Sequence, residues 1–134
     1  MPNTPDRGNL RDDLRDYLAM VRPIFSDRNL RATLLELIAA RTRDPELGQL
    51  YMSMVERRSV PLKTIFERAK LRGEIAADTS YIDALDFMEG PLVARSLIEP
   101  SRLDDLDLER TVDRILGALR AEATGGADER WTER

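Results

Sequence analysis

The stretch Thr79–Ser101, TSYIDALDFMEGPLVARSLIEPS, decides the fold. Placed on a helix, Tyr81, Ala84, Leu85, Phe87, Met88, Leu92, Ala94 and Ile98 fill roughly half the circumference, well beyond the ~100° stripe of an ordinary surface helix. One small domain rarely covers so much of one helix. The pattern therefore predicts that one side is buried in the chain's own core and another against a second copy. Asp83, Asp86 and Gly90 fall on the remaining, wetter side, with Glu89 at its border. Thr79 or Ser80 caps the start, and Pro100 and Ser101 close the end. Pro91 has no N–H for the Phe87 carbonyl, so the helix is expected to kink at Gly90-Pro91 or to end and restart there.

Upstream, Leu10, Leu14, Tyr17, Leu18 and Val21 recur at helical spacing, and Pro23 is expected to close that element. Ser26 or Asp27 caps a second helix with Leu30, Leu34, Leu37 and Ile38 on one face, ending near Thr42. Asp44-Pro45-Glu46 starts a third: a capping carboxylate, a proline in the first turn and an acid at the positive end. Leu47, Tyr51, Met54, Leu62, Ile65 and Ala69 share its face. Leu47 and Ile65 stand five turns apart at about 3.6 residues per turn, so the apolar phase survives Pro61. One long helix is expected, bent near Arg57–Pro61 and capped by Gly73; two helices meeting at Ser59 are the alternative. The last helix begins near Asp104–Asp107, and Leu108, Val112, Ile115 and Leu119 step as in a coiled-coil seam. Gly117, Ala118 and Ala121 admit a close neighbour. Residues 1–9 read as a linker, 10–121 as the helical domain and 122–134 as a flexible tail with Trp131 exposed.

Composition narrows the function. The chain has 134 residues, enough for one real core. It holds no cysteine and no histidine, which removes disulfides, thiol nucleophiles, the commonest general base and the commonest metal ligands. A net charge of −4 argues against a nucleic-acid surface. No apolar run approaches the ~20 residues of a membrane span, and the first residues lack a signal core, so a cytoplasmic location is expected. There is no phosphate loop and no nucleophile elbow. Catalysis, cofactors and metals are not expected, and Asp86 is the one remote candidate for a buried acid. The architecture implied is all-α: five helices, the last two meeting their copies in a four-helix seam through Met88, Leu92, Leu108, Val112, Ile115 and Leu119.

Three blocks carry a resemblance. PDRGNLRDDL (Pro5–Leu14), RDPELGQLY (Arg43–Tyr51) and ERAKLRGEI (Glu67–Ile75), the last followed by a helix holding Gly90-Pro91-Leu92, resemble in order and spacing the C-terminal domain of tetracycline-repressor-like (TetR family) transcriptional regulators. The similarity runs from Pro5 to Ala121. It implies a ligand-binding and dimerisation domain whose last two helices pair across a two-fold. Family members begin with a helix-turn-helix head that these residues do not contain, whether the chain is cut or its reading frame is short. DNA is therefore expected to be bound only through a head outside these residues. The alternative is a stand-alone helical dimerisation protein that pairs with full-length relatives. Pro61 is also less usual for the long helix.

By the same resemblance, a small, largely apolar effector would sit between the first three helices and the fourth. The inward candidates are Tyr17, Val21, Phe25, Leu34, Ile38, Tyr51, Met54, Arg58 and Phe87, the same large side chains that plain packing would bury. Arg58 falls on the apolar stripe of the third helix, where a guanidinium needs a carboxylate or an anionic ligand. It either anchors an acidic effector, or pairs with an acid such as Asp86, or snorkels out at the Pro61 bend; the ion pair or snorkel is the reading favoured. Arg41 is expected to meet the free carbonyls of its helix's last turn.

Overall fold

The computed structural model describes residues 3–99 and 103–125. Five helices make up its regular structure: α1 Leu10–Ser26, α2 Arg28–Ala40, α3 Pro45–Leu71, α4 Tyr81–Ile98 and α5 Leu108–Gly125. α1 packs against each of the other four and is the axis of the bundle. Its inward row Leu10, Leu14, Tyr17, Leu18, Val21 and Phe25 is almost wholly buried. Burial of one such side chain stabilises by roughly 1.5–3 kcal/mol, which is why this helix needs no unusual propensity.

The caps follow the local chemistry. The Asn9 side chain accepts from the Asp12 N–H at 2.9 Å. Asp27 accepts from the Asn29 and Leu30 N–H groups, both at 2.9 Å. Asp44 accepts from Glu46 at 3.0 Å, with Pro45 in the first turn. Ser80 accepts from Asp83, and Asp107 from Arg110. Each satisfies N–H groups that the first turn leaves free. α3 ends in a Schellman motif: Gly73 N–H meets the Lys70 carbonyl and Glu74 N–H the Ala69 carbonyl, with Gly73 at φ +76°.

None of the three helical prolines ends its helix. Pro23 does not close α1, because one more turn buries Phe25 to 1% exposure, and that outweighs the hydrogen bond withheld from the Ala19 carbonyl. α3 runs unbroken through Pro61, as the unshifted apolar phase required, so the two-helix alternative is set aside. The Ser59 hydroxyl donates to the Glu56 carbonyl at 2.8 Å, beside the carbonyl Pro61 leaves unpaired. α4 neither stops nor restarts at Gly90-Pro91. Phe87 and Pro91 are both exposed in the protomer, so the carbonyl deprived of its partner lies outside the protomer's core. α5 continues past Ala121 to Gly125, since Glu122 and Ala123 are good helix formers. Trp131 and the end of α4 at Pro100 and Ser101 lie outside the described residues.

Cover is uneven along the bundle. α2 buries only Leu34, with Leu30 53% exposed. In α3, full burial begins at Ser59; in the half before it Leu50 and Met52 are about half exposed, while Tyr51, Met54 and Val55 are half-buried. α2 and the first half of α3 thus form an arm held less tightly than the rest. Leu103 and Leu106, in the connection before α5, are buried although they follow no helical period. Among the described residues no helix is long and apolar enough to cross a membrane.

The residues expected at the dimer seam face inward instead. Met88, Leu92 and Val112 have no exposed surface, Ile115 and Leu119 are 4% and 7% exposed, and Leu108 packs half-buried against the same core. The protomer uses them itself. The α4 stripe left outside is Phe87, Pro91, Ala94 and Ile98, with Phe87 59% and Ile98 82% exposed.

Candidate functional site: a buried ion pair in an aromatic interior

A charged contact joins α3 to α4. Arg58 donates from Nε to Glu89 Oε1 at 3.1 Å and from Nη2 to Glu89 Oε2 at 2.8 Å, a two-pronged pair. Its two side chains are 16% and 12% exposed. The guanidinium carbon lies 5.6 Å from the centre of the Phe25 ring, within cation–π range. The Tyr17 hydroxyl sits 3.5 Å from the Arg58 carbonyl, at the outer limit of a hydrogen bond. Burial pushes the Tyr17 phenol well above its usual value; the negative charge of Glu89 adds to this and Arg58 opposes it. Both charged heads therefore lie close to a phenol that stays neutral.

Of the candidate residues, Tyr17 and Phe25 meet Arg58 directly. Tyr17, Val21, Phe25 and Leu34 belong to one continuous core, and Ile38 and Tyr51 pack against it. Met54 is half-buried one turn before Arg58. Phe87 does not join them. It precedes Met88 and points about 100° away around the helix, and Met88 takes the inward position. The partner of Arg58 is Glu89, not Asp86, which is exposed. Glu89 stood at the border of the polar side, and that border is what α3 covers. Arg41 lies over the Tyr51 ring at 5.6 Å. Gly48 makes room there: a Cβ on it would stand 3.3 Å from the Arg41 carbonyl oxygen.

A second polar cluster ties the N-terminal segment to the end of α3. Asp13 is wholly buried. Its Oδ1 accepts the Arg7 N–H at 2.6 Å, while its Oδ2 has no hydrogen-bond partner among the described residues and faces Arg72 at 3.7 Å. Glu74, set in place by the Gly73 turn, accepts the Leu10 N–H at 2.7 Å and Arg72 Nε at 2.8 Å. Arg68 donates to the Pro5 carbonyl at 3.1 Å. Pro5 and Leu10 are thus tied to the end of α3 and the turn that follows it, and Arg7 to α1. No sequence pattern marked Asp13, because a carboxylate in the first turn of a helix ordinarily reads as solvated.

Among the surface clefts of the described residues are three. One of about 350 Å³ lies by Leu10, Glu74, Ile75 and Leu116; one of about 300 Å³ lies between α4 and α5 by Phe87, Pro91, Arg114 and Ala118; a shallow one spans the α2–α3 junction. Of the candidates, only Phe87 lines any of the three.

The model of the tetracyclin repressor-like C-terminal domain family matches residues 4–115. No curated protein and no solved structure matches the chain. The match covers most of the chain, which belongs to the tetracycline repressor-like C-terminal domain family and is a regulatory domain of that class of transcription regulators.

Proposed function

We propose that this domain binds a small, largely apolar effector in each protomer, dimerises through the outer faces of α4 and α5, and passes the effector signal to a DNA-binding head. Family membership supplies the class of function, since such domains typically dimerise and bind small molecules. The observation that carries the effector reading is the uneven cover. The loosely held α2–α3 arm leaves Ile38, Tyr51 and Met54 half-buried, Met54 one turn before Arg58. An apolar guest can complete burial there that the chain does not complete alone. The tie between Asp13, Glu74, Arg72 and the segment 5–10 supports the relay: displacement of α3 moves the residues that precede α1.

The dimer reading rests on the outer stripe and on two glycines. Gly90 and Gly117 are exposed and helical, and a Cβ on either would meet nothing within 4 Å. Each costs its helix about 1 kcal/mol relative to alanine and serves no contact inside the protomer. A partner helix lying close against Phe87, Pro91, Ala94 and Ala118 gives both a purpose. Native mass spectrometry of protein purified under gentle conditions tests the effector reading. A bound molecule of discrete mass that is lost on denaturation supports it; ligand-free protein that is also insensitive in melting to a broad panel of apolar compounds overturns it.

A further inference from the structure

We propose that Glu89, the face of Phe25 and Tyr17 form a seat for a flat organic cation, which Arg58 fills until a ligand supplies an amidinium or guanidinium of its own. The proposal rests on the effector reading above and gives that effector its charge. Both Glu89 oxygens are engaged by two nitrogens of one planar group, at 3.1 and 2.8 Å, and the same group stands over an aromatic face at 5.6 Å. A carboxylate fork beside a ring recognises a planar cation, whichever molecule carries it.

The two partners are not equally free to leave. Glu89 has a short stem, on a helix whose flanking Met88 and Leu92 are fully buried. Arg58 reaches in on a long, flexible stem from the loosely covered half of α3, beside exposed Glu56 and Arg57. Arg58 can swing its head into water while its methylenes stay against the bundle. Glu89 has no such reach, so its carboxylate stays at the contact and needs a cation there. Exchange of one flat cation for another leaves the charge balance of the interior unchanged. Net affinity then comes from the ligand's apolar body against the loosely covered half of α3, where Met54 stands half-buried one turn before Arg58. An acidic effector anchored on Arg58 is disfavoured for the same reason, because Glu89 already occupies that guanidinium.

Three probes with one body and different heads test this by calorimetry on the full chain: 4-butylbenzamidine, 4-butylbenzoate and neutral 4-butylbenzamide. The amidine is expected to bind at least about tenfold tighter than the other two, a ratio within the reach of one charged contact. Arg58→Gln, which removes the built-in competitor, is expected to tighten amidine binding, and Glu89→Gln to weaken it by about tenfold or more. Glu89→Asp, which keeps the charge but shortens the reach, gives a partial loss and serves if Glu89→Gln does not melt cooperatively. Preference for the benzoate, equal binding of the benzamide, or amidine binding indifferent to Glu89 overturns the cation seat and leaves the effector reading intact. Failure of all three probes with every cooperatively folded variant overturns the seat and counts against the effector reading as well.

Discussion

Arg58→Met and Glu89→Met, alone and together, give the sharpest view of the interior. Each single change leaves a charge without its partner between α3 and α4. Breaking a fully buried pair costs about 3–5 kcal/mol. Here the side chains keep 16% and 12% of their surface, so part of the orphaned charge is solvated. The expected cost falls to about 1–2 kcal/mol for Glu89→Met, where Arg58 can reach water, and to about 2–3 kcal/mol for Arg58→Met, where the short-stemmed Glu89 cannot. For Arg58→Met, in a chain of this size, that corresponds to a melting temperature lower by roughly 6–12 °C. The double variant replaces the pair by two flexible apolar side chains next to Phe25, and is expected within about 1 kcal/mol of wild type, since well-packed apolar replacements of buried pairs are often neutral. The cycle should therefore give a coupling of about 2 kcal/mol or more. Urea unfolding followed by circular dichroism measures all four proteins, with the slope checked for two-state behaviour. Singles that cost less than about 0.5 kcal/mol with no coupling would show an ordinary solvated surface pair, and the desolvated interior inferred here would fall with it.

Tyr17 links stability to alkaline pH. Its folded-state phenol is raised above the unfolded value of about 10, so its contribution is intact below that value and is lost as pH climbs toward the folded one. Stability should decline above about pH 10, and Tyr17→Phe should flatten that decline; an unchanged alkaline profile in Tyr17→Phe would refute the assignment. Asp13→Ala removes the buried acceptor of the Arg7 N–H and the carboxylate facing Arg72 and is expected to cost roughly 1–3 kcal/mol. Hydrogen exchange at Arg7 and Leu10 should quicken while amides in the middle of α1 stay protected, and unchanged protection at both would remove the tie between the N-terminal segment and α3. Gly73→Ala meets no steric obstacle but must hold φ +76°, at about 1–2 kcal/mol; a neutral result would show that the α3 cap is dispensable.

Most of the fold was legible because its signals are local. Asp44-Pro45-Glu46, the Gly73 stop and the cap pairs Ser26/Asp27 and Thr79/Ser80 act within one turn, and the apolar phase across Pro61 favoured one continuous α3 over two helices. The prolines at positions 23 and 91 were harder. Whether a helix tolerates proline depends on what the next turn buries, and only the packed structure shows Phe25 in the core and Phe87 in solvent. The same limit governs α4. Apolar residues cover half its circumference, and periodicity cannot say which half belongs to the protomer. Met88 and Leu92 took the inside, leaving Phe87 and Ile98 outside, so the excess of apolar surface was readable but its assignment was not. Glu89 and Asp13 escaped for a related reason: a carboxylate near the edge of an apolar stripe is identical in sequence whether it meets water or a guanidinium. Leu103 and Leu106 lie in a connection, where burial has no period to betray it.

The account depends on two copies meeting at the outer stripe of α4 and the small residues of α5. A stable interface of this kind buries about 1,200–2,000 Å² in total, and a carboxylate placed at its centre would be left desolvated without a partner. Sedimentation equilibrium of the wild-type chain and of Ala94→Glu, an exposed position that leaves the protomer core untouched, measures this directly. The expected result is a wild-type mass of twice 15.3 kDa and a variant of 15.3 kDa with helical content unchanged. A wild-type chain that remains monomeric at about 10 µM, well above the dissociation constants of stable dimers, or an Ala94→Glu variant that still pairs, would contradict it.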